Sequence, residues 1–101
     1  MSASNANGAA ARLTLVTGGL GGLGAEICRQ LAQAGCRVIA ADLPASDARL
    51  AGFREACAAF GDAIGYATLD VSDHEACATL VGRLEREHGG VDILVNNAGI
   101  T

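Results

Sequence analysis

The chain is predicted to fold as an α/β domain: a doubly wound parallel sheet with helices on both faces and strand order 3-2-1-4. Three observations lead there. Four short runs rich in Val, Ile and Leu alternate with three longer stretches whose apolar residues recur at helical spacing, and every connection is short. Strict alternation implies parallel strands joined by right-handed crossovers. A ligand of such a sheet sits beyond the carboxyl ends of the strands where the order reverses, here between the first and fourth strands.

Leu13 to Thr17 is too short for a helix and rich in Leu, Val and Thr, as a strand covered on both faces requires. A glycine-dense turn follows, and then Leu23, Ile27 and Leu31 recur every four residues along one face of a first helix, which Gly35 ends with a left-handed cap. Arg37 to Ala41 forms the second strand. Asp42 closes it ahead of Pro44, whose ring disfavours helical geometry in the residue before it. Ser46 or Asp47 caps a second helix whose Leu50, Phe53, Cys57 and Phe60 keep helical spacing as far as Gly61. The third strand runs from about Ile64 to Leu69. Ser72-Asp73-His74-Glu75 matches a capping box and opens a third helix, with Cys77, Leu80, Val81 and Leu84 on its apolar face. His88-Gly89-Gly90 ends that helix before a fourth strand over Val91 to Val95.

Half of the 101 residues are apolar and 18% are charged, a globular composition far from that of disordered chains. A chain of this size buries roughly 60 to 70% of its unfolded surface if its sheet is complete. Net charge is -4, there is no lysine, and the seven arginines are scattered, so nucleic acid is not an expected partner. Cys28, Cys36, Cys57 and Cys77 form no C-x-x-C pair and read as buried, reduced thiols. His74 and Cys77 lack a second half of matching spacing, so no metal is expected. Residues 1–11 are small and polar and lack the basic start and apolar core of a signal peptide, so a disordered tail is expected before a domain over residues 12–101. No stretch approaches the roughly 20 apolar residues of a membrane span. A soluble, cytoplasmic setting without a membrane partner is the expectation.

The glycine turn carries the clearest chemistry. Gly19, Gly21 and Gly24 spell G-x-G-x-x-G, while Thr17, Gly18, Gly22 and Gly24 spell T-G-x-x-x-G-x-G, and spacing leaves both registers open. In either, missing Cβ atoms let the backbone from Gly18 through Gly19, Leu20, Gly21, Gly22 and Leu23 to Gly24 approach a pyrophosphate at a helix N-terminus. The competing reading is plain turn punctuation, which the position between strand and helix disfavours. Asp42, eighteen residues after Gly24, is placed to accept hydrogen bonds from an adenosine ribose. A 2′-phosphate about 4 Å from that carboxylate would be opposed by roughly 1 kcal/mol per charge pair in water-like surroundings and about 4 kcal/mol at an effective dielectric of 20. NAD is therefore expected over NADP, with Arg49 the one nearby cation able to fold back. Asp before Pro is also an ordinary turn.

Asp70 and Val71 follow the third strand, where a carboxylate and an apolar neighbour suit an adenine; local turn chemistry at Asp70 is the equal alternative. Asn96-Asn97-Ala98-Gly99 closes the fourth strand with two amides and then two small residues that leave room for a cofactor ribose.

Thr-Gly-Gly-Leu-Gly-Gly-Leu-Gly over residues 17–24, Asp42, Asp70-Val71 and Asn96-Asn97-Ala98-Gly99, in this order and spacing, resemble the short-chain dehydrogenase/reductase family, and the likeness covers all of the chain except the tail. The resemblance implies the Rossmann fold, pyrophosphate binding over Gly18 to Gly24, ribose contact at Asp42, adenine contact at Asp70 and Val71, and nicotinamide-ribose contact at Asn97, Ala98 and Gly99. Within the family, the doubled glycines around Leu20 and the ending Asn-Asn-Ala-Gly-Ile-Thr are similar to acetoacetyl-CoA and other 3-oxoacyl thioester reductases. Such reductases typically prefer NADPH, against the expectation from Asp42, and both cofactors stay open.

The resemblance further implies a parent enzyme, a homo-oligomer, that interconverts a ketone and a secondary alcohol on a small-molecule substrate. Its catalytic serine, its tyrosine with lysine four residues on, and its helical asparagine lie downstream of Asn-Asn-Ala-Gly. Tyr66, the only tyrosine, has Asp70 at that offset and reads as a packing residue, so no catalytic residue is assigned within the chain. Two other classes fit parts of the pattern: a non-catalytic nucleotide-binding module, and a methyltransferase using Asp92 and Asn96.

Overall fold

Leucine and valine over Leu13–Thr17 build β1, the central strand, and all five of its residues are buried. Its neighbours are β2 (Arg37–Asp42) on one side and β4 (Ile93–Asn96) on the other, with β3 (Ile64–Thr68) beyond β2. The computed structural model describes residues 12–98. All three pairings are parallel and the order is β3-β2-β1-β4, as the alternation of elements predicts. Gly99, named above as a site residue, lies outside the described residues.

Side chains alternate along the strands, so each face of the sheet has its own core. On one face Val16, Val38 and Ala40 meet Ala25 and Cys28 of α1 (Gly22–Gln33) and Phe53 of α2 (Asp47–Ala56). On the other, Leu13, Leu15, Ala41 and Ala67 meet Leu80 and Leu84 of α3 (His74–His88). Burial, with a smaller contribution from Cys57, pushes the Cys28 thiol up to about 12, so it is a neutral packing group at physiological pH. Cys36 and Cys77 are only half-buried, and all four cysteines are free. No helix among the described residues is long and apolar enough to cross a membrane.

Several local expectations need correction. In α1 the fully buried residues are Gly24, Ala25 and Cys28, and Ile27 and Leu31 pack half-buried against the same core as expected, but Leu23 is 59% exposed, because the helix settles on the preceding turn through its glycine. In α3, Val81 is likewise exposed. The second helix stops at Ala56, and a 3-10 turn over Ala58–Ala63 takes its place as far as β3. Cys57 remains buried at the break, so apolar spacing persisted through a change of helix type.

A further correction concerns the start of α3. Asp73, not Ser72, is its N-cap, accepting from the Ala76 amide at 3.0 Å. Ser72 is otherwise engaged: its amide and hydroxyl both donate to Asp70 Oδ1, at 2.9 and 2.6 Å. The last strand also begins later than its apolar run. Asp92 precedes it, accepting from the Leu13 amide at 2.9 Å and donating its own amide to the Leu13 carbonyl at 2.9 Å, which anchors the first and last strands together.

Replacing Asp73 by Ala is expected to lower the unfolding free energy by about 0.5–2 kcal/mol, the usual cost of a lost helix cap. Urea unfolding of Asp73→Ala and Ser72→Ala, compared at one pH, checks it: the cap assignment requires the larger loss at Asp73.

Candidate functional site

The carboxyl ends of all four strands open onto one cleft of about 410 Å³, within the size range of small-molecule sites. Gly18 supplies its floor after β1, Asp42 and Leu43 one wall after β2, Leu69, Asp70 and Val71 a rim after β3, and Asn97 and Ala98 the opposite wall after β4. The start of α1, from Gly21 to Gly24, closes the back.

Two glycines make the turn possible. Gly18 has φ +66°, a left-handed conformation that side-chain-bearing residues rarely adopt. Its carbonyl accepts from the Gly21 amide at 3.3 Å and from Asn97 Nδ2 at 3.2 Å. Gly24 lies so close that a Cβ there would stand 2.1 Å from that same carbonyl oxygen. By contrast a Cβ at Gly22 would meet no protein atom within 4 Å. The bare position at Gly22 therefore leaves open space beside the cleft, whereas Gly18 and Gly24 are required by the fold. Gly18 belongs to the T-G-x-x-x-G-x-G register and Gly24 to both registers, while Gly19, of the G-x-G-x-x-G register, is equally closed to a Cβ, which would stand 2.6 Å from that of Ala40.

α1 differs from the other helices at its start. α2 has a Ser46 cap and Asp47 in its first turn, and α3 has an Asp73 cap and Glu75. α1 begins at Gly21 with no side-chain cap and no acidic residue in its first turn. Among the described residues the amides of Gly22, Leu23 and Gly24 have no acceptor, so an uncompensated positive helix end faces the cleft. That is the chemistry of an anion cradle.

Not every glycine-turn residue reaches the cleft. The Leu20 side chain is buried in the α1-side core, and a Cβ at Gly19 would collide with Ala40. Both residues act through their amides, Gly19 donating to the Ala41 carbonyl at 3.2 Å and Leu20 to Asp42 Oδ2 at 3.1 Å. Asp42 also accepts from the Leu43 amide through Oδ1 at 2.8 Å. Its carboxylate is thus fixed by two backbone donors and keeps lone pairs for a further donor.

At the third strand end Asp70 forms a local turn with Ser72 and also lines the rim of the cleft beside exposed Val71. The Ser72 hydroxyl and then the Ser72 amide hold its carboxyl below the usual aspartate value of 3.8.

Residues the sequence reading missed are those joined over long separations. Thr17 Oγ1 donates to Asn96 Oδ1 and accepts from the Ala98 amide, both at 3.1 Å, tying the exit of β4 to that of β1. Tyr66, expected only to pack, donates its hydroxyl to the Leu43 carbonyl at 3.2 Å and braces the wall next to Asp42. Arg49 does fold back, placing Nη2 3.9 Å from Asp42 Oδ2.

Parallel strands ordered 3-2-1-4 around a glycine turn that opens a helix define a Rossmann-type domain. The profile of the short chain dehydrogenase family matches residues 12–101, and the chain belongs to that family. It is 47% identical to nodulation protein G of Azospirillum brasilense, over 89% of this chain and 36% of that protein. To an acetoacetyl-CoA reductase of Allochromatium vinosum it is 45% identical, over 90% of this chain and 37% of the relative. Among solved structures, menthone neomenthol reductase from Mentha piperita superposes with a TM-score of 0.76 at 40% identity, covering 91% of this chain and 33% of that one. The chain thus spans about a third of the length of the relatives it matches. Two of these three relatives are reductases by name.

Two measurements test this geometry. Gly24→Ala is expected to cost about 3 kcal/mol or more in urea unfolding, as forced overpacking does, whereas Gly22→Ala stays within about 0.5 kcal/mol. For Asp70, a carboxyl with a lowered native pKa stabilises the fold above its unfolded pKa, and that contribution is lost as pH falls through the native value. Its carboxyl ¹³C shift is expected to titrate below pH 3.8, and Ser72→Ala to move the midpoint up toward that ordinary value.

Proposed function

We propose that the chain is the cofactor-binding portion of a nicotinamide-dependent oxidoreductase that interconverts a ketone and a secondary alcohol. The observation that carries this is the uncapped start of α1, bare at Gly22 and opening onto the cleft. Amides from Gly22 to Gly24 would hold the pyrophosphate, Asp42 the adenosine ribose, Asp70 and Val71 the adenine, and Asn97 and Ala98, with Gly99, the nicotinamide ribose. Leu20 and Gly19 would act behind them by shaping the turn. When bound, the nicotinamide would supply the hydride acceptor or donor; this chain binds and orients it. The proton-transferring serine, tyrosine and lysine of the family would come from sequence beyond these residues.

NAD is the cofactor that Asp42 favours, because its carboxylate is held in place by the Leu20 and Leu43 amides and cannot turn away from a 2′-phosphate without breaking them. NADP has support of its own: a polyketide ketoreductase crystallised with NADPH is 32% identical, with a TM-score of 0.76. For the substrate, the acetoacetyl-CoA reductases among the relatives support a 3-oxoacyl thioester such as acetoacetyl-CoA. A soluble cytoplasmic enzyme, homo-oligomeric in its complete form, fits this reading.

Calorimetric titration with NAD tests it. Binding is expected, and Gly22→Ala, which leaves the fold intact, is expected to weaken it by about tenfold, equivalent to roughly 1.4 kcal/mol. Equal affinity in the two proteins would place the ligand elsewhere and remove the proposal's support.

A further inference from the structure

Among the described residues the outer edge of β3 is unpaired. Its one sheet neighbour is β2, and the Leu69 amide donates to the Asp42 carbonyl at 2.7 Å, which fixes the backbone groups that face that neighbour. Bonding residues alternate along a parallel strand, so Gly65 and Ala67 face β2 while the amides and carbonyls of Tyr66 and Thr68 point outward. Free edges are ordinarily blunted by a charge, a proline or a bulge. Ile64–Thr68 carries no charge and no proline, and its register against β2 is unbroken. Beside this edge lies a groove of about 320 Å³, bounded by Thr68 and by the outer side of α3 from its Asp73 cap to Arg83. Ten helical steps rise about 15 Å and a five-residue strand spans about 16 Å, so groove and edge are matched in length. Buried Leu80 lies at its floor. Its charge is negative: Asp73 and Glu75 supply two carboxylates, and the cation that lines it, Arg83, pairs with Glu87 at 3.8 Å. Asp62 adds a carboxylate just ahead of the strand.

We propose that the β3 edge and this groove form a docking site for an extended, basic peptide segment of a partner protein, added as a further strand outside β3. Bonds to the Tyr66 and Thr68 backbone supply the pairing, which is indifferent to sequence. Selection comes from the groove. Alternate side chains of the added strand turn toward α3, where an apolar one meets Leu80 and a lysine or arginine meets Asp73 and Glu75. A second copy of this chain is a poorer occupant. An antiparallel β3 pair centred on Tyr66 would bring Asp62 of each copy toward Asp70 of the other, setting like charges across the strands. The groove shares no lining residue with the cleft, so the docking site stands independently of the dinucleotide reading.

The test titrates the ¹⁵N-labelled chain with the blocked pentapeptide Lys-Thr-Val-Thr-Lys and, separately, with Glu-Thr-Val-Thr-Glu. The lysine peptide is expected to displace the Tyr66 and Thr68 amides and to bind at least about fivefold more tightly than the glutamate peptide, a preference that shrinks as salt is raised. Thr68→Pro removes an outward amide and leaves the Leu69 bond to Asp42 in place, so it is expected to weaken the lysine peptide by about tenfold with the far-UV spectrum unchanged. Glu75→Gln, at an exposed position of α3, is expected to weaken it by about threefold and decides the matter however Thr68→Pro folds. Equal binding of the two peptides, no loss in Glu75→Gln, or displacements that leave Tyr66 and Thr68 unmoved overturn the proposal. So does movement of those two amides with protein concentration alone, which would give the edge to a second copy.

Discussion

The carbonyl of Gly18 is the point on which the site depends. A left-handed residue directly after the central strand lets this oxygen accept from Gly21 and from the Asn97 side chain, while Gly24 of α1 packs against it with no room for a methyl group. Three chain segments, the end of β1, the start of α1 and the exit of β4, therefore meet at one acceptor. Moving any of them would displace the helix start from the cleft. Because the strands are parallel, their carboxyl ends all lie on this side, and the cleft is a consequence of that register.

Asp42 is a second fastener with an outward task. By accepting from Leu20 and Leu43 it joins the glycine turn to the exit of β2 and brings a negative charge to the wall of a cleft whose back is electropositive. Tyr66 secures the same wall from β3 through the Leu43 carbonyl. A site built this way is preorganised by backbone donors and acceptors. Its shape is kept by the bonds that the Asp42, Asn97 and Tyr66 side chains make to that backbone, while Arg49 and Leu23 are exposed.

Much of the fold was legible in the chain because alternation of short apolar runs and helical spacing leaves few topologies open, and the strand order 3-2-1-4 follows from them. Gly18, Gly22, Gly24, Asp42, Asp70, Val71, Asn97 and Ala98 do converge on one cleft. What escaped was set by contacts distant in sequence or by competition between neighbours. Leu23 matches the helical period, yet the Gly24 contact turns it outward. Ser72 and Asp73 are both good caps, and only the bonds of Ser72 to Asp70 decide between them. Leu20 falls inside the glycine motif but serves the core, because the turn points its side chain inward. Thr17 meets the exit of β4 across about eighty residues, a separation that no local pattern records.

The family of the chain and the uncapped start of α1 both lead to the proposal that main-chain amides at that helix start grip the ligand. Amide chemical-shift mapping of the ¹⁵N-labelled protein during titration with NAD tests that statement most directly. The account predicts that the largest displacements fall on the Gly21, Gly22 and Leu23 amides, with smaller ones at Leu43, Val71 and Asn97. Displacements centred instead on the groove between Thr68 and Arg83 at the other side of β3, with the glycine turn unmoved, would contradict it.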